Sequence, residues 1–125
     1  MPITHIHMRA GKPAAYRQAV MDGIYAALRE ALQVPEGDAF LTITEHEAAN
    51  FRYGHWPDMA RSDDVLYIEV SVFSTRTVQQ KKALYQAIAR QLAAAPGVRP
   101  QDVFVHVLDA PKENWSLGMG LAQFA

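Results

Sequence analysis

Pro2 is the residue whose position could make it a reagent. A methionine ahead of a small residue is normally removed, and a chain that then begins with proline displays a secondary amine. An α-amino group titrates near about pH 8, and a neighbouring cation or an apolar wall lowers that, so such an amine can serve as a general acid or base. Proline is also a good first residue of a strand, which is the plain alternative. Asp38 ends the run Val34-Pro35-Glu36-Gly37-Asp38, and Arg76 follows Phe73 and Ser74 at the end of an apolar segment. A pocket holding an amine, a carboxylate and a guanidinium suits a small 2-oxo acid, with Arg76 gripping its carboxylate and the amine moving a proton between C3 and oxygen. Both partners have plainer uses: Pro-Glu-Gly-Asp is good turn chemistry, and Arg76 could bond nearby backbone.

These residues must be positioned by regular elements. Apolar residues recur at three- and four-residue steps over Ala14–Leu32 (Tyr16, Val20, Ile24, Leu28) and Val78–Ala95 (Leu84, Ile88, Leu92), which predicts two amphipathic helices. Ile3–Met8, Ala39–Glu45, Val65–Phe73 and Val103–Leu108 alternate with period two and read as strands. Shifted by 64 residues, the sequence falls on itself: Ile24 and Leu28 on Ile88 and Leu92, Asp38 and Phe40 on Asp102 and Phe104. The expected fold class is therefore α+β, with tandem βαβ units at about 2–46 and 65–109 in one domain of 125 residues, a linker at 47–64 and a tail at 110–125. Right-handed crossovers make the strands of each unit parallel and give a four-stranded mixed sheet with both helices on one face.

Thr4, Ile6, Met8, Ile68, Val70 and Val72 then face the helices, while Ile3, His5, His7, Phe40, Tyr67, Glu69, Phe104 and His106 share the other face. That face is too aromatic for bare solvent and predicts self-association. Pro2 and Asp38 stand at the starting ends of parallel strands. If the two central strands are antiparallel neighbours, Phe73, Ser74 and Arg76 arrive at the same edge. Lys12 aligns with Arg76 across the repeat, but Leu66 replaces the proline, so the second edge should be chemically silent.

His5 and His7 share a face with His106, a pattern like a facial imidazole set, yet no spaced carboxylate ligand accompanies them and no metal or other cofactor is expected. Tyr53, Trp56 and Trp115 read as walls, with Trp56 assigned to packing. Twelve basic against thirteen acidic residues, a net charge of -1, argue against a nucleic-acid binder or a membrane-surface protein. The apolar runs fall short of the roughly 18 residues that cross a bilayer. The absence of cysteine fits a reducing compartment, and a cytoplasmic location is expected.

The opening Pro2-Ile3-Thr4-His5-Ile6-His7, followed by Gly11 and Lys12, resembles the start of oxalocrotonate tautomerase-type proteins. The doubled length, the Val34–Asp38 run, Arg76 and the tail Trp115-Ser116-Leu117-Gly118 resemble the malonate semialdehyde decarboxylase branch of the tautomerase superfamily. The resemblance implies a homotrimer in which Pro2 is the catalytic acid or base on a small keto or enol carboxylate. It also implies a catalytic role for Asp38 and a substrate-carboxylate contact from Arg76; with Phe73 and Ser74 converging on the same edge and Trp115 as a wall, Arg76, Ser74, Phe73 and Trp115 are the expected substrate-binding residues. The family pattern has a second arginine where this chain has Ser74, which favours tautomerisation over decarboxylation or hydration of a three-carbon acid. A ferredoxin-like binding module, with Pro2 incidental, is the non-enzymatic alternative.

Overall fold

The computed structural model describes residues 1–125. Strand β1 (Pro2–Arg9) leads into helix α1 (Ala14–Leu32) and strand β2 (Leu41–His46); β3 (Leu66–Phe73), α2 (Val78–Ala94) and β4 (Val103–Ala110) follow in the same order. The strands form one sheet in the order β2-β1-β3-β4. β1 is parallel to β2 and β3 to β4, while the central pair β1 and β3 is antiparallel. The two βαβ units read from the sequence are therefore present, with β3 and α2 starting 64 residues after β1 and α1. Parallel pairing within a unit follows from the helical crossover, and antiparallel pairing between units follows from their two-fold arrangement in one sheet.

Both helices lie on one side of the sheet. Ile6, Met8, Ile68, Val70 and Val72 are buried against Val20, Ile24, Leu28, Leu84, Ile88 and Leu92, and Leu41, Ile43, Val105 and Val107 pack at the margins. Alternation along the strands thus sends one set of side chains into the core and the other outward. The helices meet at Gly23, where an added Cβ would stand 3.0 Å from Leu92 Cδ2. At the start of α2, the Thr77 hydroxyl accepts from the Gln80 N–H while the Gln80 side chain accepts from the Thr77 N–H.

Several boundaries differ from expectation by one or two residues: β1 runs Pro2–Arg9 rather than Ile3–Met8, β2 ends at His46 rather than Glu45, β3 starts at Leu66 rather than Val65, and β4 ends at Ala110 rather than Leu108. β2 begins at Leu41 rather than Ala39, because residues 38–40 lead out of the turn at Glu36–Gly37 and pairing with β1 starts only at Leu41, opposite Thr4. α2 stops at Ala94 rather than Ala95, since the residue before Pro96 is disfavoured in helical conformation.

On the other sheet face, Ile3, His5, Phe40, Phe104 and His106 are exposed. The linker folds partly over it: Phe51 stacks on Tyr67 with ring centres 4.9 Å apart, and the Tyr67 hydroxyl donates to Arg52 O. Trp56, read as a packing residue, is instead 86% exposed. The linker closes on itself beside it, with Arg61 Nη1 donating to Gly54 O at 2.9 Å, and that leaves the indole outside. No helix is long and apolar enough to cross a membrane.

Leu92 is fully buried at the helix crossing, so Leu92→Ala is expected to lower unfolding stability by about 2–5 kcal/mol in a denaturant titration. Gly23→Val overfills the same contact and should cost about 1–3 kcal/mol.

Candidate functional site

Pro2 is buried at the head of β1 and pairs with Val72 near the end of β3, so the edge foreseen from the repeat exists. A cleft of about 190 Å³ opens there, lined by Met1, Pro2, Ile3, Phe40, Trp115, Ser116 and Leu117. Its walls are mostly apolar. Trp115 is held by an indole N–H donated to Ala110 O at 3.3 Å and by an edge-on contact with the Phe73 ring, 5.5 Å between centres. Phe124 packs on Phe73 at the same 5.5 Å, and Lys112 Nζ stands 5.7 Å from that ring. Phe73 therefore positions the wall from behind. Ile3, Phe40, Ser116, Leu117 and Phe124 are not among the expected site residues; Ile3 and Phe40 carry only their outward phase as a signal, and Ser116 and Leu117 only their place in the Trp115 tail.

Asp38 is delivered by a local turn. Its N–H donates to Pro35 O at 3.1 Å, and the Gly37 N–H donates to the Tyr25 hydroxyl at 3.0 Å. Gly37 has φ +88°, the left-handed region that glycine enters without a Cβ penalty. The carboxylate is 6% exposed as a residue. Neither oxygen accepts a hydrogen bond, and Asp38 Oδ2 lies 3.6 Å from the amino-terminal nitrogen of Met1. A buried carboxylate without donors is costly, so this arrangement is not what a turn alone requires.

Asp102, the same position in the second unit, makes the contrast. It is 1% exposed, and it accepts from the Ser62 N–H at 2.7 Å and the Ser62 hydroxyl at 2.6 Å, with Arg99 Nε at 3.8 Å. Asp102 is consumed in tying the linker to β4. Asp38 is not consumed.

Arg76 does not line the cleft. Its Nη1 donates to Leu32 O at 2.9 Å, satisfying a carbonyl at the end of α1, while its Nε is buried without a partner. Ser74 is exposed, and its N–H donates to Ala110 O at 3.1 Å. The structure thus brings Pro2 and Trp115 into one cleft and sets Asp38 against the amino terminus. It keeps Phe73 and Ser74 off the cleft wall and Arg76 at the α1 end.

The second edge also carries a cleft, of about 200 Å³ and lined by Met8, Arg9, Ala10, Lys12, Asp63 and Asp64, but its charges are engaged with one another. Lys12 Nζ pairs with Asp64 Oδ1 at 3.0 Å and stands 5.0 Å from the Tyr16 ring. The hydrogen bond to Asp64 holds the Lys12 ammonium above the usual lysine range against some desolvation. Leu66, in the place of Pro2, is fully buried. Among the histidines, His7 Nδ1 lies 3.0 Å from His46 Nε2 and His5 Nδ1 lies 2.8 Å from Thr42 Oγ1; no three His, Asp or Glu side chains gather as a metal site.

With this geometry in hand, comparison with known proteins is informative. Residues 38–118 match the family described as "Tautomerase enzyme". The chain is 36% identical to a probable tautomerase, YusQ, of Bacillus subtilis (strain 168), over 98% of both chains. The crystal structure of a malonate semialdehyde decarboxylase inhibited by 3-bromopropiolate superposes with a TM-score of 0.92 at 29% identity, covering 98% of this chain and 93% of that one. A fused 4-OT described as a symmetric trimer shares the fold, with a TM-score of 0.77 at 23% identity, covering 95% of this chain and 94% of that one. A doubled βαβ sheet, a matching family over more than half the chain and a relative of equal span agree: this chain belongs to the tautomerase family.

Proposed function

We propose that the chain, with Met1 removed, is a keto–enol tautomerase acting on a small 2-oxo or enol carboxylate, with Pro2 as its acid and base. The observation that carries this reading is the buried Asp38 carboxylate, without a hydrogen-bond donor and 3.6 Å from the amino terminus, beside an apolar cleft lined by Pro2 and Trp115. In the enol-to-keto direction, the Pro2 nitrogen takes the enol hydroxyl proton. The O–H electrons form the carbonyl, the C=C electrons take a proton from the resulting ammonium at C3, and the amine is restored neutral. The apolar wall of Ile3, Phe40, Trp115 and Leu117 keeps water from the enolate. Arg76 retains a buried, unpartnered Nε–H at this end of the sheet and would turn it toward the substrate carboxylate.

A second reading is favoured by one specific contact. With Met1 in place the Asp38 carboxylate lies 3.6 Å from the terminal nitrogen, and the same contact made to Pro2 after processing would be an ion pair with its ammonium. An ammonium acid suits decarboxylation of a three-carbon oxo acid: the C–C bond to the carboxylate breaks, carbon dioxide leaves, and the electron pair passes through the enolate to a carbon that takes the Pro2 proton. The two readings demand opposite charge on the same amine. Ser74 stands where the decarboxylase pattern carries a second arginine, which places tautomerisation first. The exposed aromatic sheet face supports self-association, and the likeness to a symmetric trimer supports a three-fold assembly.

Intact-mass spectrometry before and after 3-bromopropiolate is expected to show loss of Met1 and one adduct, mapped to Pro2 and suppressed by a competing keto acid. Retained Met1 in protein from its native source, or no adduct on a processed chain, sinks the reading. Asp38→Asn should keep the thermal midpoint and separate the two readings: tautomerisation, which starts from the neutral amine, should hold or rise, while decarboxylation, which starts from the ammonium, should fall by about 100-fold or more. Asp102→Asn should instead cost about 1–3 kcal/mol of stability and leave kcat in place. Arg76→Ala should raise KM about 10- to 100-fold, the weight of one charge-assisted hydrogen bond, and an unchanged KM would remove Arg76 from the site.

A further inference from the structure

Five buried side-chain atoms in the chain lack a hydrogen-bond partner, and four of them belong to three residues at the Pro2 end: Thr4 Oγ1, Asp38 Oδ1 and Oδ2, and Arg76 Nε. The fifth is Arg61 Nε in the linker. Asp38 and Arg76 have already been given roles. Thr4 has none, although it is 0% exposed on the helix-covered face of β1, two residues along from Pro2. Its N–H donates to Phe40 O at 2.9 Å, which ties it to the same segment that carries Asp38.

A threonine hydroxyl in a fully buried strand position is costly where valine packs equally well, unless the hydroxyl has a task. The orphaned atoms are chemically complementary. A carboxylate only accepts, a guanidinium Nε–H only donates, and a hydroxyl rotor donates to whatever acceptor approaches. No hydrogen bond joins them in the chain with Met1, where Asp38 Oδ2 lies 3.6 Å from the Met1 nitrogen. Removing Met1 moves the charged terminus one residue, about 3.3 Å, along β1 toward Thr4. Asp38 is the one charged side chain within ion-pair distance of the terminus in the chain with Met1.

Resting on the assignment of Pro2 above, we propose that Thr4 is a positioning residue for Asp38, its buried hydroxyl donating to the carboxylate in the processed protein and fixing it against the Pro2 amine. Arg76 Nε–H supplies the second donor until substrate arrives. Thr4 touches no reacting atom. Its effect passes through Asp38 to the charge state of the amine.

The test uses the processed full-length chain, its mass confirmed, as wild type, Thr4→Val and Thr4→Ser. The probe is 2-oxo-3-pentynoate, whose alkyne adds only to a neutral amine, so labelling of Pro2 against pH reports how strongly the ammonium is favoured. Valine keeps the volume and removes the donor. Thr4→Val is expected to retain or raise the thermal midpoint and to lower the pH midpoint of labelling by about half a unit or more. The pH at which kcat for tautomerisation reaches half its plateau should fall by the same amount, since that reaction starts from the neutral amine, with KM within about twofold. Thr4→Ser, which keeps the hydroxyl, should restore both pH midpoints. A Thr4→Val protein with the wild-type labelling and kcat profiles overturns the proposal while leaving Pro2 in place, as does a Thr4→Ser protein that behaves like valine. A wild-type chain whose Pro2 does not label overturns the reading of Pro2, and the proposal with it.

Discussion

Pro2 lies opposite Val72 because β1 and β3 run antiparallel at the centre of the sheet, and this pairing brings the first residues of the chain to the end of the second unit. Parallel pairing inside each unit then brings the turn before β2 to the same edge, so Asp38 meets the amino terminus there. The tail after β4 reaches it too, since β4 runs alongside β3 to Ala110 and Trp115 follows within a few residues. One hydrogen-bonded register thus gathers an amine, a carboxylate and an aromatic wall from positions that are up to 113 apart in the sequence. Shifting that register by one residue would turn Pro2 and Thr4 to the exposed face and dismantle the site.

The two units have the same scaffold and opposite uses for it. Leu66 and Asp102 stand where Pro2 and Asp38 stand in the first unit; Leu66 is core, and Asp102 is spent on Ser62. Lys12 stands where Arg76 stands and is closed by Asp64, whereas Arg76 keeps a buried Nε–H free. Polar groups in one edge are satisfied and those in the other are not. Unsatisfied buried groups are selected against unless they serve something, and here they cluster around the one position that can carry a free amine. The internal repeat supplies its own control.

The open sheet face is organised differently. His46, Phe51, Tyr67 and Phe104 form a continuous run of aromatic contacts across it, with the linker pinned over part of the surface through Tyr67 and Arg52. Ile3 and Phe40 lie on the same face and also line the cleft beside Pro2. Anything that covers this face therefore borders the site.

Much of this was written in local patterns. Period-two and period-3.6 alternation determined the strands, the helices and which side chains enter the core, because burial on one face is a property of spacing along the chain. The 64-residue repeat determined the topology and identified Asp38 and Asp102 as equivalent positions. Their inequivalence was decided only in three dimensions, since it depends on Ser62, which lies 40 residues from Asp102 in sequence and within 2.6–2.7 Å of its carboxylate in space. The same is true of Arg76, whose bond to Leu32 spans 44 positions, and of Trp56, which the linker's own hydrogen bonds leave outside. Thr4 is the plainest case. By spacing it is one more inward residue of β1, and only the tally of buried polar atoms without partners separates it from Ile6 and Met8. Periodicity determines which way a side chain points; whether a polar group finds a partner is decided by what the rest of the chain packs beside it.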